Sequence, residues 1–272
     1  SRDFMAGIKL KYDVKNWFTV NLSLHGDFYD RFKRHERIDE RKNVYKSKIF
    51  EPRLTLTSSY FTGHNIILGV EHTTDELTSD RFVNRRMTTR SLHETEYFLQ
   101  DEWTVNSHWM LSSGVRTNFS KAFGFMWMPK IAIKYAPDNH WALRANYSMG
   151  YRAPSIKELF FNWDHLGMFQ IKGSENLQSE KNNYFSLGAE YSKERFFINV
   201  NAYANIFNKK IEGVWRIYDM QYNFEYINLK SQRMLGVEAI MKWRLTDNFM
   251  LNATYSYVNV SKQNGIQVNT TS

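Results

Sequence analysis

The ten residues Trp141–Gly150, WALRANYSMG, decide how the rest of the chain is read. Trp141, Leu143, Ala145, Tyr147 and Met149 occupy alternate positions, and Arg144, Asn146 and Ser148 fill the gaps between them. A helical period of 3.6 would scatter these two sets around a cylinder. A period of two sends one set to each face of an extended strand.

The same alternation recurs on both sides of this segment. Ile198, Val200, Ala202 and Ala204 oppose Asn199, Asn201, Tyr203 and Asn205. Leu235, Val237, Ala239, Met241, Trp243 and Leu245 oppose Glu238, Lys242 and Arg244, and Phe249, Leu251, Ala253, Tyr255 and Tyr257 oppose Asn252, Thr254 and Ser256. The pattern continues in 18–28, 54–60, 65–77 and 184–191, giving about twelve strands of roughly 9–12 residues. Strands of soluble sandwiches usually run about 5–6 residues, whereas a tilted strand crossing a bilayer needs about 9–11.

The connections carry a second regularity. Short ones at 13–16, 62–64, 106–108, 137–139, 193–194 and 246–248 take turns with long ones at 29–47, 78–92, 119–127, 151–182, 206–222 and from 259 onward. Tight turns on one rim and long loops on the other characterise an outer-membrane barrel. The expected fold is therefore all-β, an antiparallel transmembrane β-barrel. A soluble sheet of twelve strands would leave two free edges, an aggregation hazard; here those edges are expected to pair with strands outside residues 1–272. The first residues read as mid-strand and the last as a polar loop, so the chain is expected to be a fragment cut at both ends.

Composition narrows the function classes. Of 272 residues 16% are aromatic, and none is Cys, which excludes disulfides, thiolate metal sites and Cys nucleophiles. No run reaches the roughly 18 apolar residues of a spanning helix. The net charge of +8 is concentrated in two places, 30–48 and 78–92, the latter carrying Arg81, Arg85, Arg86 and Arg90. Two readings stand for this basic rim: contact with anionic lipopolysaccharide, or steering of an anionic ligand. Basic loops over a barrel do not make a nucleic-acid platform. No G-x-S-x-G or comparable nucleophile motif occurs, so an outer-membrane hydrolase is disfavoured and no enzyme activity is expected.

Alternation stops between Gly150 and Lys181. Pro154 ends a strand because it cannot donate to a ladder. Ser155, with Glu158 three residues on, has the pattern of a capping box opening a helical turn, and Arg152 offers a planar fork for a carboxylate. The middle of the segment, NWDHLGMF, gathers Trp163, His165, Met168 and Phe169.

Tyr151, Arg152, Ala153 and Pro154, followed by Asn176, Leu177 and Glu180, resemble the paired F/YRAP and N-P-D/N-L-K-P-E motifs of TonB-dependent outer-membrane receptors. The first motif matches outright. In the second, Ser174, Glu175 and Ser179 depart from the pattern. The resemblance spans the chain as barrel sequence, with YFLQDEW (97–103) a further similar strand. It implies one part-barrel domain, about 12 of some 22 strands, with the plug domain, TonB box and C-terminal strands lying outside residues 1–272.

The resemblance also implies energy-dependent uptake of a scarce ligand across the bacterial cell outer membrane, through loop capture and plug gating. Partners would be the TonB complex, outer-membrane lipids and lipopolysaccharide, and a surface lipoprotein; no intrinsic cofactor is implied. In haem receptors of the family a His between the two motifs ligates haem iron, which makes His165 the candidate ligand, with Trp163, Met168 and Phe169 covering a porphyrin. Cobalamin, a ferric siderophore or a glycan remains open as cargo, and a passive porin is the distant rival. His35 and His93 fall on the same rim as secondary candidates. His64, His108 and His140 sit at short turns, and His25 and His72 read as ordinary strand residues.

Overall fold

A computed structural model describes residues 1–35, 40–82, 86–165, 167–218 and 221–261. Arg85 and the polar stretch from 262 onward lie outside the described residues, as does the side chain of His35. One antiparallel meander dominates: β1 (Arg2–Lys15), β2 (Phe18–His35), β3 (Glu40–Ser58), β4 (His64–Ser79), β5 (Thr88–Thr104), β6 (Trp109–Ser120), β7 (Gly124–Tyr135) and β8 (Trp141–Arg152). After an interruption it resumes with β11 (Glu180–Lys193), β12 (Phe196–Tyr218), β13 (Gln221–Thr246) and β14 (Phe249–Val260). The interruption holds α1 (Ile156–Phe160) and two short strands, β9 (Asn162–His165) and β10 (Phe169–Lys172). The wall is thus an open sheet, part of a barrel, in which β1 pairs with β2 and β14 with β13.

Register converts sequence alternation into two faces. Leu68 stands opposite Leu99, and Leu187 lies between Ala145 and Ala202. This face exposes large apolar side chains, with Leu187 67% accessible. The opposite face carries cross-strand ion pairs: Arg53–Glu71 and Arg116–Glu96 at 2.7 Å, and Arg144–Glu190 at 3.1 Å. Asn146 donates to Ser186, and Asn182 to Asn205. An apolar outer face over a polar inner one is the arrangement of a barrel wall between lipid and a wet lumen.

Aromatic rings on the inner face lie over cross-strand glycines. The Phe98 ring covers Gly69, leaving no room for a Cβ, and Tyr203 covers Gly236 in the same way. Arg53 and Arg116 stack on the Phe98 ring at 5.3 and 5.2 Å, so one aromatic links four strands, β3 to β6.

The short turns fall where expected. Two of them use one device: Asn106 accepts the N–H groups of His108 and Trp109, and Asp138 those of His140 and Trp141. Those two N–H groups hold the Asp138 carboxyl below its ordinary range. The other rim differs from the sequence expectation. Three of the spans read as long loops are mostly strand: β2 and β3 stay paired out to His35 and Glu40, β6 and β7 meet at 121–123, and β12 and β13 run to Tyr218 and Gln221. Beyond the bilayer both faces of a ribbon are wet, so alternation loses contrast while the hydrogen-bond ladder persists. β13 has 26 residues; about 10 suffice to cross, leaving a ribbon roughly 40 Å tall.

Gly69→Val places a branched side chain inside the Phe98 ring and against the Leu54 carbonyl. It is expected to destabilise the barrel by about 1–3 kcal/mol, measured as a lower denaturant midpoint of the full-length protein, whereas Gly7→Ala, whose Cβ would meet only ordinary van der Waals contacts, shifts it less.

Candidate functional site

The stretch between β8 and β11 folds into a cap on the ribbon rim. Pro154 is fully buried and ends β8. Ser155 caps α1: its side chain accepts the Glu158 N–H, and the Glu158 carboxylate accepts the Ser155 N–H at 2.7 Å. Ile156 and Phe161 pack on Leu77 and Phe82 of the β4 end and its turn, while Leu159 packs on Leu177 and Ile211. The chain returns tightly, with Gly173 N–H donating to the Phe161 carbonyl and Ser174 N–H to that of Glu158. A Cβ at Gly173 would fall 2.7 Å from the Leu159 backbone, so the close approach requires glycine.

Arg152 is the electrostatic centre of this arrangement. One guanidinium nitrogen donates to both Glu158 oxygens at 3.1 and 3.0 Å, and the other reaches Glu180 at 3.4 Å. Glu180 also accepts the Ile211 N–H at 2.9 Å. The end of β8, the helix, the start of β11 and the middle of β12 are thereby tied through one cation. Tyr151 receives a hydrogen bond from Ser179, Leu177 is buried in the cap core, Ala153 is half-buried, and Asn176 lies exposed in the turn before Leu177. The motif residues fasten the cap to the wall. Asn228, which no sequence pattern singles out, completes the attachment: its amide bonds both N–H and carbonyl of Gln178 and the carbonyl of Lys209.

The cap presents a hairpin. β9 and β10 pair with His165 opposite Phe169, and β10 adds in parallel to β13, Phe169 opposite Tyr222. Asp164 accepts the N–H of Gly167, whose φ of +76° makes the turn. The His165 ring is 4.8 Å from both Trp163 and Phe169, and its Nδ1 is buried without a hydrogen-bond partner among the described residues. Phe169 in turn meets Trp215 at 5.6 Å. Three of the four sequence candidates thus converge. Met168 stands apart, 61% exposed in the turn. Trp215 escapes the sequence reading because its segment reads as loop; the β-branched and aromatic run IEGVWRIY is the available signal.

Of the basic residues, Arg81 joins this group, its guanidinium 4.3 Å above the Trp163 ring and its carbonyl bonded to the Asn162 N–H. Burial first, then the neighbouring Arg31, lowers the basicity of Arg81, although a guanidinium stays charged at neutral pH. Arg90 stacks on Phe160 at 4.7 Å and Lys157 on Tyr45 at 5.4 Å. Arg86 is exposed on the rim. The result is a cation-studded aromatic surface on an ordered cap.

A wall with a lipid-type outer face, a polar inner face and a motif-anchored cap on its taller rim is matched by one family model, described as TonB dependent receptor-like, beta-barrel, over residues 1–272. The chain belongs to the TonB-dependent receptor β-barrel family. It is 23% identical over 267 residues to the iron-regulated outer membrane virulence protein of Vibrio cholerae, covering 90% of this chain and 40% of that protein. The ferric enterobactin receptor PfeA of Pseudomonas aeruginosa superposes with a TM-score of 0.77 at 16% identity, over 96% of this chain and 44% of that one. The copper transporter OprC superposes with a TM-score of 0.73 at 14% identity, over 94% and 46%. The chain therefore spans less than half the length of these relatives. Its place is the outer membrane, in a family of receptors and transporters, with the turn rim periplasmic and the cap rim extracellular.

Arg152→Ala removes the cation that joins Glu158 to Glu180 and leaves two carboxylates facing each other. The cap is expected to open while the wall persists: amide exchange across 155–180 should accelerate at least tenfold, with exchange in β11 below Glu180 unchanged.

Proposed function

We propose that the full-length protein takes up an anionic, aromatic ferric chelate of the siderophore class, captured on the cap. The observation carrying this reading is the contiguous surface of Arg81 on Trp163, His165, Phe169 and Trp215, with Arg90 and Lys157 stacked beside it. Aromatic faces stack on a catecholate-type ring system, and the cations beside them complement its charge. The iron-regulated relative and the ferric enterobactin receptor support the same cargo class. Transport would follow the family scheme, with the TonB complex driving movement of a plug lying outside residues 1–272. Exposed basic rim residues would meet lipopolysaccharide, and a surface lipoprotein would add a further contact.

Haem is the second reading, favoured by the His165 imidazole between two rings that would flank a porphyrin. Ligation would fall to Nε2, since Nδ1 is buried. Iron coordination would then come from this side chain, whereas a siderophore brings its own ligands.

The two readings separate in a titration of the full-length protein with a ferric catecholate, haemin and cobalamin. For the siderophore reading, Arg81→Ala weakens the catecholate about tenfold, a loss of about 1.4 kcal/mol, while His165→Ala changes it little. A haemin Soret shift lost in His165→Ala would favour haem instead, tight cobalamin binding would displace both, and an open ion conductance of the full-length protein would point to a passive pore.

A further inference from the structure

Two histidines on the outer face of the wall remain outside the cap site. His72 on β4 and His93 on β5 share the face of Leu68, Leu99 and Tyr97, one step toward the extracellular rim. Exposed aromatics flank them: Phe50 stands opposite Thr74 on β3, and Phe119 opposite Thr95 on β6. Imidazoles on the lipid-side surface of a barrel, at the level of its aromatic girdle, need a reason, because each is a polar group where apolar ones are favoured.

Their nitrogens are organised. His72 Nε2 and His93 Nδ1 each lie 3.3 Å from the same atom, Thr74 Oγ1. The other nitrogen of His72, Nδ1, is 2.8 Å from Thr95 Oγ1. The two rings are 6.1 Å apart and inclined by 18°. The roles depend on the ring tautomers: in one arrangement His72 Nδ1–H donates to Thr95, His72 Nε2 accepts the Thr74 hydroxyl and Thr74 accepts from His93 Nδ1, and in the other all three bonds run the opposite way. A metal-ligating histidine usually donates its far ring N–H to an oxygen acceptor, and in the first arrangement the Thr95 hydroxyl stands in that place for His72.

We propose that His72 and His93 form a cross-strand site for a borderline-soft divalent metal ion, of the zinc, copper or nickel type. The ion is taken by His72 Nε2 and by His93 Nδ1, each ring being neutral and carrying its proton on the other nitrogen. Its remaining positions would be filled by water at the membrane interface. Imidazole donors select this class over magnesium or calcium, which prefer oxygen. Lys48 and Glu76 face each other at 4.0 Å one step further out, so the charge of that pair is balanced and the nitrogens set the affinity. Bound there, the ion would staple β4 to β5 where the wall leaves the bilayer.

The test is Cu(II) electron paramagnetic resonance on the full-length protein in micelles, in a His165→Ala background so that the cap makes no contribution. The expected spectrum shows coupling to two imidazole nitrogens. It is lost in His72→Gln and in His93→Gln, and binding is weakened about tenfold in Thr95→Val, which frees the His72 tautomer. Thr74→Val retains the signal, because that hydroxyl only occupies the gap between the nitrogens. Unchanged far-ultraviolet circular dichroism shows that each variant is folded. A signal that survives in the double variant His72→Gln/His93→Gln, one showing a single nitrogen, or no signal in the folded parent would overturn the proposal.

Discussion

A hydrocarbon slab offers no hydrogen bonds, so each peptide group of a strand inside it must bond a neighbouring strand. Every other feature of this chain answers to that constraint. It forces a continuous ladder from β1 to β8 and on through β11 to β14, and it fixes which side chains meet lipid. Because the side-chain period is two, a slip of one residue would put Arg144 and Glu190 into lipid and Leu143 and Ala189 into the lumen. The inner-face pairs Arg53–Glu71, Arg116–Glu96 and Arg144–Glu190 lock the register from the wet side, and the apolar face locks it from the other.

Legibility in the sequence depends on where that constraint acts. Within the membrane, lipid and lumen impose a binary contrast, and Trp141–Gly150 displays it residue by residue. Above the membrane the contrast fades. The stretches 29–47 and 206–222 read as loops although β2–β3 and β12–β13 remain paired there, because residues such as Arg31, Lys46, Asn208 and Lys209 are exposed to water. A local irregularity of the ladder is hidden as well: Lys209, within β12, adopts φ of +55°, a conformation that nothing in its chemistry advertises.

The cap shows the same division between local and distant information. Its capping box, Ser155 with Glu158, spans three residues and is readable directly. That Arg152 seeks a carboxylate is readable too, but the identity of its partners, Glu158 and Glu180, depends on strands brought together by the wall. Asn228 lies 50 residues from Gln178 and carries no local signature. His165, Trp163 and Phe169 are neighbours in sequence and become neighbours in space through a tight hairpin. Trp215 enters only because β10 adds to β13 in parallel.

The central claim is that a two-residue period divides lipid from lumen along each wall strand and ends where the cap begins. The chain has no cysteine, so single cysteines introduced from Trp141 to Ser155 in the full-length protein report the division directly. Nitroxide labels attached to them in detergent and then reconstituted should collide with molecular oxygen most at 141, 143, 145, 147 and 149, less at the even positions between them, and without that period from 153 onward. Uniform accessibility through 141–149, or a maximum at the even positions, would contradict the account.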